Sequence, residues 1–454
     1  MFSKILVANR GEIAVRIIRA CREMGISTVA IYSTADKEAM HVQLADESYC
    51  VGGARVADSY LNMPAILTAA VASGAQAIHP GYGLLSENAK FVKLCEECNI
   101  EFIGPSSEMI NLLGDKDMAR KTMRAAGVPV TPGTDVLEDV ESAKILAEEV
   151  GYPLLIKARS GGGGRGIRLV NSAEEFETAY NNAYSEAESA FGDGALYIEK
   201  FVNPVKHIEM QLLCDKHGNA ICLGERECSV QRHNQKLIEE SPSPSISPET
   251  RQAMTEAAIK AAHAVSYNSV GTVEFLYDMN GNFYFMEMNT RLQVEHGVSE
   301  MVTGMDIVQW QIRVAAGTEL SRTQDSVYTH GHVIECRINA EDPDHNYRPS
   351  CGKIYGLHIP GGSFVRFDTA LYQDYEIPPF YDSMIGKLIV QGRTRELAIR
   401  KMKMALSELS IRGIIVNRDL MIDILSEKEF IDGSYTTDFM ADFEKRRYYQ
   451  DNRI

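Results

Sequence analysis

The sequence predicts α/β and α+β units in series: a doubly wound N-terminal domain, a middle domain with a mobile glycine-rich lid, and a C-terminal α+β domain. Three observations carry this. Strand-like and helix-period segments alternate from residue 4 to about 113. A run of glycines joins two strand-like segments near residue 160. An acidic, amide-rich block, Glu287 to His296, follows an Asn-Gly hairpin signal.

Ile5 to Ala8 reads as a buried strand, turned by Asn9-Arg10-Gly11. The helix that follows places Ile13, Ala14, Ile17, Ile18, Cys21 and Met24 on one face and ends at Gly25. Thr28 to Tyr32 is the next strand, which gives a β-α-β start. A dinucleotide site would need three spaced glycines after the first strand, and only Gly11 is there. The loop His79-Pro80-Gly81-Tyr82-Gly83 follows a strand, where open α/β sheets bind ligands. A purely structural turn accounts for it equally well.

A helix is expected from about Met118 to Ala126, before breaks at Pro129, Pro132 and Gly133. Leu154 to Lys157 is a strand, Ser160 to Gly166 a glycine loop and Ile167 to Val170 a second strand. Strand–loop–strand is not a P-loop, yet bare backbone N–H groups can close on an anion. Five glycines in this stretch also predict a lid that orders on its ligand, a plain hairpin tip being the alternative. Ser172 and Glu175 read as a capping box. Strands at Leu196–Val202 and Lys206–Gln211 lead out of the lid, and Ser247-Pro248-Glu249 opens a helix. The resulting division is 1–113, 114–330 with the lid at about 131–203, 331–446, and a tail at 447–454.

With 454 residues and a net charge of −16, the chain has no basic footprint for nucleic acid. Nine cysteines, an odd number spread along the chain, fit a reducing compartment. Cys95 and Cys98 lack a second pair and read as ordinary thiols rather than a zinc site. No signal peptide or membrane-length run is present, so a cytoplasmic location is expected.

Val273–Tyr277 and Phe283–Met286 are aromatic-rich strands around Asn280-Gly281. A two- or four-residue turn there sets Glu274 opposite Glu287, whereas a three-residue turn loses that register. Alternation then places Glu287, Asn289 and Arg291 on one face. Opposed carboxylates repel, and a Mg²⁺ ion between them would relieve it. A solvated acidic pair is the plainer alternative.

Together these motifs resemble the ATP-grasp enzymes, and among them the biotin carboxylases. The matching stretches are Ala8 to Ala14, His79 to Gly83, Lys116, Gly161 to Gly166, Glu274, Glu287 to His296, Glu335 to Ile338 and Tyr381 to Met384. The resemblance implies an ATP-grasp fold and a two-step reaction. Bicarbonate attacks ATP to give carboxyphosphate, and the CO₂ released is captured by biotin.

By the same resemblance, Lys116 and Lys157 hold phosphates under Gly162, Gly163, Gly164, Arg165 and Gly166. Glu199 and Lys200 line the adenine, with His207, Gln231 and Asn234 nearby. Glu274 and Glu287 hold Mg²⁺, or Mn²⁺ in its place, with Asn289 beside them. Lys236, Arg291, Gln293 and the Val294 backbone take bicarbonate, Glu295 is its base, and Arg337 and Tyr82 face biotin. The implied partners are a biotin carboxyl carrier protein, carboxyltransferase subunits and a second copy in a homodimer. The implied pathway role is the first half-reaction of acetyl-CoA carboxylase in fatty-acid synthesis.

Three positions depart from the family pattern: His233, Asn234 and Gly297. Met402-Lys403-Met404 imitates a biotinylation motif but lies in a helix-period segment. No carrier domain fits after residue 446, so biotin is expected on another protein. A carbamoyl-phosphate-synthetase-like ligase and a nucleotide-binding scaffold are the other readings. The first would show an internal repeat, and the second would not keep Lys236, Arg291, Glu295 and Arg337 together.

Overall fold

The computed structural model describes residues 1–160 and 166–451. Strands β1 (Lys4–Val7), β2 (Ser27–Ser33), β3 (Glu47–Gly52), β4 (Ala77–His79) and β5 (Glu101–Phe102) form a parallel sheet in the order β3-β2-β1-β4-β5. The helix Gly11–Glu23 connects β1 to β2 and buries Ile13, Ala14, Ile17, Ile18 and Cys21. Asn9 then fixes the loop after β4, donating to the carbonyls of Pro80 (2.6 Å) and Tyr82 (2.8 Å). Cys95 is buried and Cys98 exposed, both free thiols.

The lid is a small body with its own core. Strands β6 (Leu154–Ala158), β7 (Ile167–Val170) and β8 (Leu196–Lys200) pair in the order β7-β6-β8. Helix Ala173–Phe191 packs Phe176 and Ala183 among Leu154, Ile156 and Ile198. Ser172 is its N-cap residue but makes no side-chain cap, and Glu175 instead accepts from the Asn171 N–H at 3.1 Å. The expected capping box is therefore displaced by one residue. Gly162, Gly163, Gly164 and Arg165 lie outside the described residues, while Gly166 (φ 72°) closes the β6–β7 turn through its carbonyl. Only glycine takes that conformation without strain.

The rest of the chain is organised by one eight-stranded antiparallel sheet. Its strands are β9 (Val205–Cys214), β10 (Ala220–Arg232), β11 (Gln235–Ser241), β12 (Ser269–Asp278), β13 (Phe283–Asn289), β14 (His332–Asn339), Val365–Thr369 and Met384–Gly392. The order is β13-β12-β9-β10-β11-β14, then Met384–Gly392 and Val365–Thr369. The β11–β14 pairing joins residues on either side of position 330 in one hydrogen-bonded sheet. Helix Pro248–Ala264 starts as its sequence requires, with Ser247 Oγ accepting from the Thr250 N–H at 3.1 Å. Met402, Lys403 and Met404 lie within the helix Arg395–Glu408, where Met402 is buried in the core. No helix among the described residues is long and apolar enough to cross a membrane.

The hairpin reaches the expected pairing by a different route. Tyr277 pairs with Phe283 and Asp278 with Asn282, so the turn has three residues, Met279 to Gly281. That turn would shift the register by one. A bulge at Met286 shifts it back, so Glu274 still pairs with Glu287 and Thr272 with Asn289. Asp278 sets the turn, its carboxylate accepting from the N–H groups of Asn280 (2.8 Å) and Asn282 (2.9 Å).

Candidate active site

The site lies on the strands β9 to β14 and on the segment after β13. All ten residues of β9 are buried, including Lys206, His207, Glu209 and Gln211. Burying such groups is tolerable only when they are paired. Arg226, fully buried on β10, supplies much of that pairing. It donates to Glu209 (2.5 Å), Gln211 (2.6 Å), Ser299 (2.8 Å) and Thr272 (3.3 Å).

Lys236 on β11 stands at the centre. Its ammonium reaches Glu209 at 2.5 Å, Glu295 at 2.6 Å and Glu274 at 3.2 Å. Burial opposes its charge, but these carboxylates outweigh it and hold the amine protonated. Glu274 also faces His207 at 3.0 Å and accepts from Asn289 (2.9 Å) and Gln293 (3.2 Å). Burial would raise its pKa, yet Lys236 and His207 bring it far below the usual carboxylate range.

Glu287, opposite, is pushed up by burial and by Glu274, with Lys116 working the other way. One ionised and one reluctant carboxylate beside an amide oxygen make a hard-oxygen donor set. A divalent cation would let both ionise, so Glu274, Glu287 and Asn289 fit Mg²⁺.

Arg291 is held in place from two domains. Glu87 accepts from its Nε at 2.8 Å, and Asn289 and Gln293 accept from its other nitrogens at 3.0 and 2.9 Å. Arg337 on β14 spans Glu239 (2.5 Å) and Glu295 (2.9 Å). Glu295 is fully buried between Lys236 and Arg337. Burial raises its pKa, but those cations and Arg226 hold it well below the ordinary value. Lys387, also fully buried, donates to the Val294 carbonyl at 2.6 Å and meets Glu12 at 3.2 Å. Tyr82 donates its hydroxyl to the same Glu12.

Three expected residues sit at the lid and one at a turn. Lys157 pairs with Glu199 at 2.5 Å, and Lys200 donates to the carbonyls of Gly151 and Tyr152. His233 and Asn234 are the two turn residues between β10 and β11, both with positive φ. Asn suits that left-handed position better than most residues, so its placement is explained by the turn. Its side chain is exposed. Gln231 pairs with Lys236 across the same hairpin.

Family models match nearly the whole chain: "Biotin carboxylase, N-terminal domain" at residues 1–110, "Carbamoyl-phosphate synthase L chain, ATP binding domain" at 115–323, and "Biotin carboxylase C-terminal domain" at 335–442. The chain belongs to the biotin carboxylase family. A biotin carboxylase of Nostoc sp. is 54% identical over 98% of this chain and 100% of its own length. The 2-oxoglutarate carboxylase small subunit of Hydrogenobacter thermophilus is 51% identical over 100% of this chain and 96% of its own. Among solved structures, the Campylobacter jejuni biotin carboxylase–β,γ-ATP complex is 51% identical, with a TM-score of 0.93 over 97% of this chain and 99% of that one. The biotin carboxylase domain dimer of the Hydrogenobacter enzyme, bound to MgADP and bicarbonate, has a TM-score of 0.92 at 51% identity, over 97% of this chain and 98% of that one. The fold is thus ATP-grasp and the protein an ATP-dependent ligase that carboxylates biotin.

Glu209, Arg226, Glu239, Glu87, Glu12 and Lys387 were not singled out by sequence reasoning. In β9, His207, Glu209 and Gln211 alternate with Ile208, Met210 and Leu212, so Glu209 reads as part of a solvated face, whereas both faces of the strand are buried. A lysine inside the apolar run Ile385–Val390 was the one visible signal for Lys387.

Proposed function

We propose that the chain performs the first half-reaction of an acetyl-CoA carboxylase, carboxylating biotin carried on a separate carrier protein. The observation that carries the reaction is Glu295 held between Lys236 and Arg337. In this state Glu295 is ionised but a weak base. When bicarbonate takes Lys236 and Arg291, and biotin takes Arg337, Glu295 loses its counter-charges and its basicity rises. Substrate binding thereby arms the base that deprotonates bicarbonate.

The nucleotide lies under the lid, with Lys116 and Lys157 on its phosphates and Gly166 at the base of the glycine loop. Glu199 and Lys200 face the adenine, and His207, Gln231 and Asn234 lie toward the ribose. Mg²⁺ held by Glu274, Glu287 and Asn289 supplies charge neutralisation on ATP. The division at 1–113, 114–330 and 331–446, with the lid at 131–203, follows this division of labour. The partners on this reading are a biotin carboxyl carrier protein, carboxyltransferase subunits and a second copy of the chain, in the cytoplasm.

A second reading is the biotin carboxylase component of a 2-oxo acid carboxylase. It is favoured by the Hydrogenobacter relative, which aligns with this chain over its full length. Bicarbonate-dependent ATP hydrolysis, measured with and without free biotin, tests the chemistry. Pairing the protein with each carboxyltransferase then separates the two readings. In the same assay Glu287→Gln should raise the Mg²⁺ requirement and lower turnover, and an unchanged Mg²⁺ dependence would remove Glu287 from the metal site.

A further inference from the structure

Glu239 on β11 and Glu335 on β14 are direct cross-strand partners, and both are completely buried. Directly opposed side chains have their Cβ atoms about 4.5–5.5 Å apart. Arg337 occupies Oε1 of Glu239. Among the described residues, Glu239 Oε2 and both oxygens of Glu335 have no hydrogen-bond partner. Two adjacent carboxylates with three orphaned oxygens, shut away from water, cannot both stay charged at tolerable cost.

We infer that Glu239 and Glu335 share one proton, and that this carboxyl–carboxylate pair positions Arg337 for the biotin step. The Glu335 carboxyl donates to Glu239 Oε2. Glu239 remains the anion that Arg337 grips, which leaves the other edge of the guanidinium toward Glu295.

The surroundings suit a proton held on Glu335. Burial raises both carboxyls, Glu239 to about 7 and Glu335 well above the ordinary carboxylate value. Lys387 and Arg337 favour the charged form of Glu335, while Glu239 and Glu295 oppose it. On Glu239, Arg337 and Lys236 favour charge, and Glu295 opposes it. Lys387 is already engaged by Glu12 and the Val294 carbonyl. From the helix His296–Thr303, Gly297 approaches Glu335, and a Cβ there would stand 3.4 Å from Oε2, 2.4 Å from Ile389 and 3.8 Å from the Arg366 guanidinium. His296, beside it, is held neutral, first by burial and then by Lys387.

This role rests on the placement of Arg337 at biotin, so the test has two independent readouts. The first is the infrared C=O stretch of protonated carboxyls, taken as a difference between wild type and variant. Glu335→Gln should lose one such band, because the proton sits on Glu335 and Glu239 stays ionised against Arg337, while Glu239→Gln should shift the band, because the Glu335 carboxyl loses its carboxylate acceptor. A band that survives Glu335→Gln, or that is unmoved by Glu239→Gln, overturns the shared proton. If a variant does not fold, the wild-type protein alone decides. Its band should fade on alkalinisation together with carboxybiotin formation, and a band indifferent to pH overturns the proposal.

The second readout is the pH profile of carboxybiotin formation beside that of biotin-independent ADP release. Once the proton leaves, two negative charges draw Arg337 away from Glu295, so wild-type carboxybiotin formation falls on the alkaline side. Glu335→Gln should lose that alkaline limb and form carboxybiotin roughly 10- to 100-fold more slowly, as when an orienting partner is removed. An alkaline limb unchanged from wild type overturns the positioning role. Loss of the band with no change in carboxybiotin formation would leave the pair intact and count against Arg337 at biotin.

Discussion

In the lid, Lys144 reaches Glu141 at 2.8 Å and Glu177 at 2.9 Å across open surface. In the eight-stranded sheet, Arg226 binds four side chains with none of its own surface exposed. Ion pairs of the first kind are screened by water and contribute little. Those of the second kind stand or fall together, because removing one partner strands the others without solvent. The lid therefore keeps its shape through a small apolar core rather than through its surface charges. The sheet keeps catalytic groups in register because each is gripped by the next.

The sharpest way to break the sheet side of this comparison is at Glu295 and Arg337, which grip each other. Glu295→Gln keeps the shape but removes the base, so bicarbonate-driven ATP cleavage and biotin carboxylation should fall together by roughly 10²–10⁴-fold. Arg337→Gln should depress carboxybiotin formation by about 10²–10³-fold while slow biotin-independent ADP release survives better. Equal losses for Arg337→Gln in both assays, on folded protein, would make that arginine a structural cation.

Arg226→Met attacks the grip itself. It should destabilise the protein by about 3 kcal/mol, the lower end for a broken buried pair, because Lys236 still holds Glu209. Urea unfolding measures this, and a change within error would mean the network carries no stability.

Acid sharpens the comparison further. Burial opposes the charge of Glu240, but His332 (2.5 Å) and Arg395 (2.7 Å) outweigh it and lower its pKa from 4.5 to about 2. A carboxyl depressed in the folded state stabilises fully above its unfolded pKa and less as pH falls toward the folded one. The sheet should thus lose stability from about pH 4.5 down toward pH 2, seen as a falling unfolding midpoint. Glu240→Gln should flatten that dependence. The smallest effect belongs to the lid: Lys144→Ala should leave the unfolding midpoint where it was, and a clear drop would contradict the contrast between the two regions.

The alternation of strand and helix periods was enough to read the N-terminal domain, and the Asn280-Gly281 signal was enough to read the pairing of Glu274 with Glu287. That pairing was right although the turn has three residues, because a bulge restored the register. Short-range turn chemistry is visible in sequence, whereas a bulge depends on what the strand packs against. Glu209 and Glu239 stayed hidden for a related reason. The polar face of β9 is buried like its apolar face, and a charged residue on it looks like any surface residue until its partners arrive from distant segments.

One such arrival has a cost during synthesis. Glu239 and Arg337 are 98 residues apart, on strands that lie side by side. As the chain leaves the ribosome, β11 must wait with an open edge and unneutralised glutamates until β14 emerges. An unpaired edge is where nascent chains find the wrong neighbour. The charges on β11 serve this interval as well as the reaction, since a strand carrying Lys236, Glu239 and Glu240 is a poor template for another copy of itself.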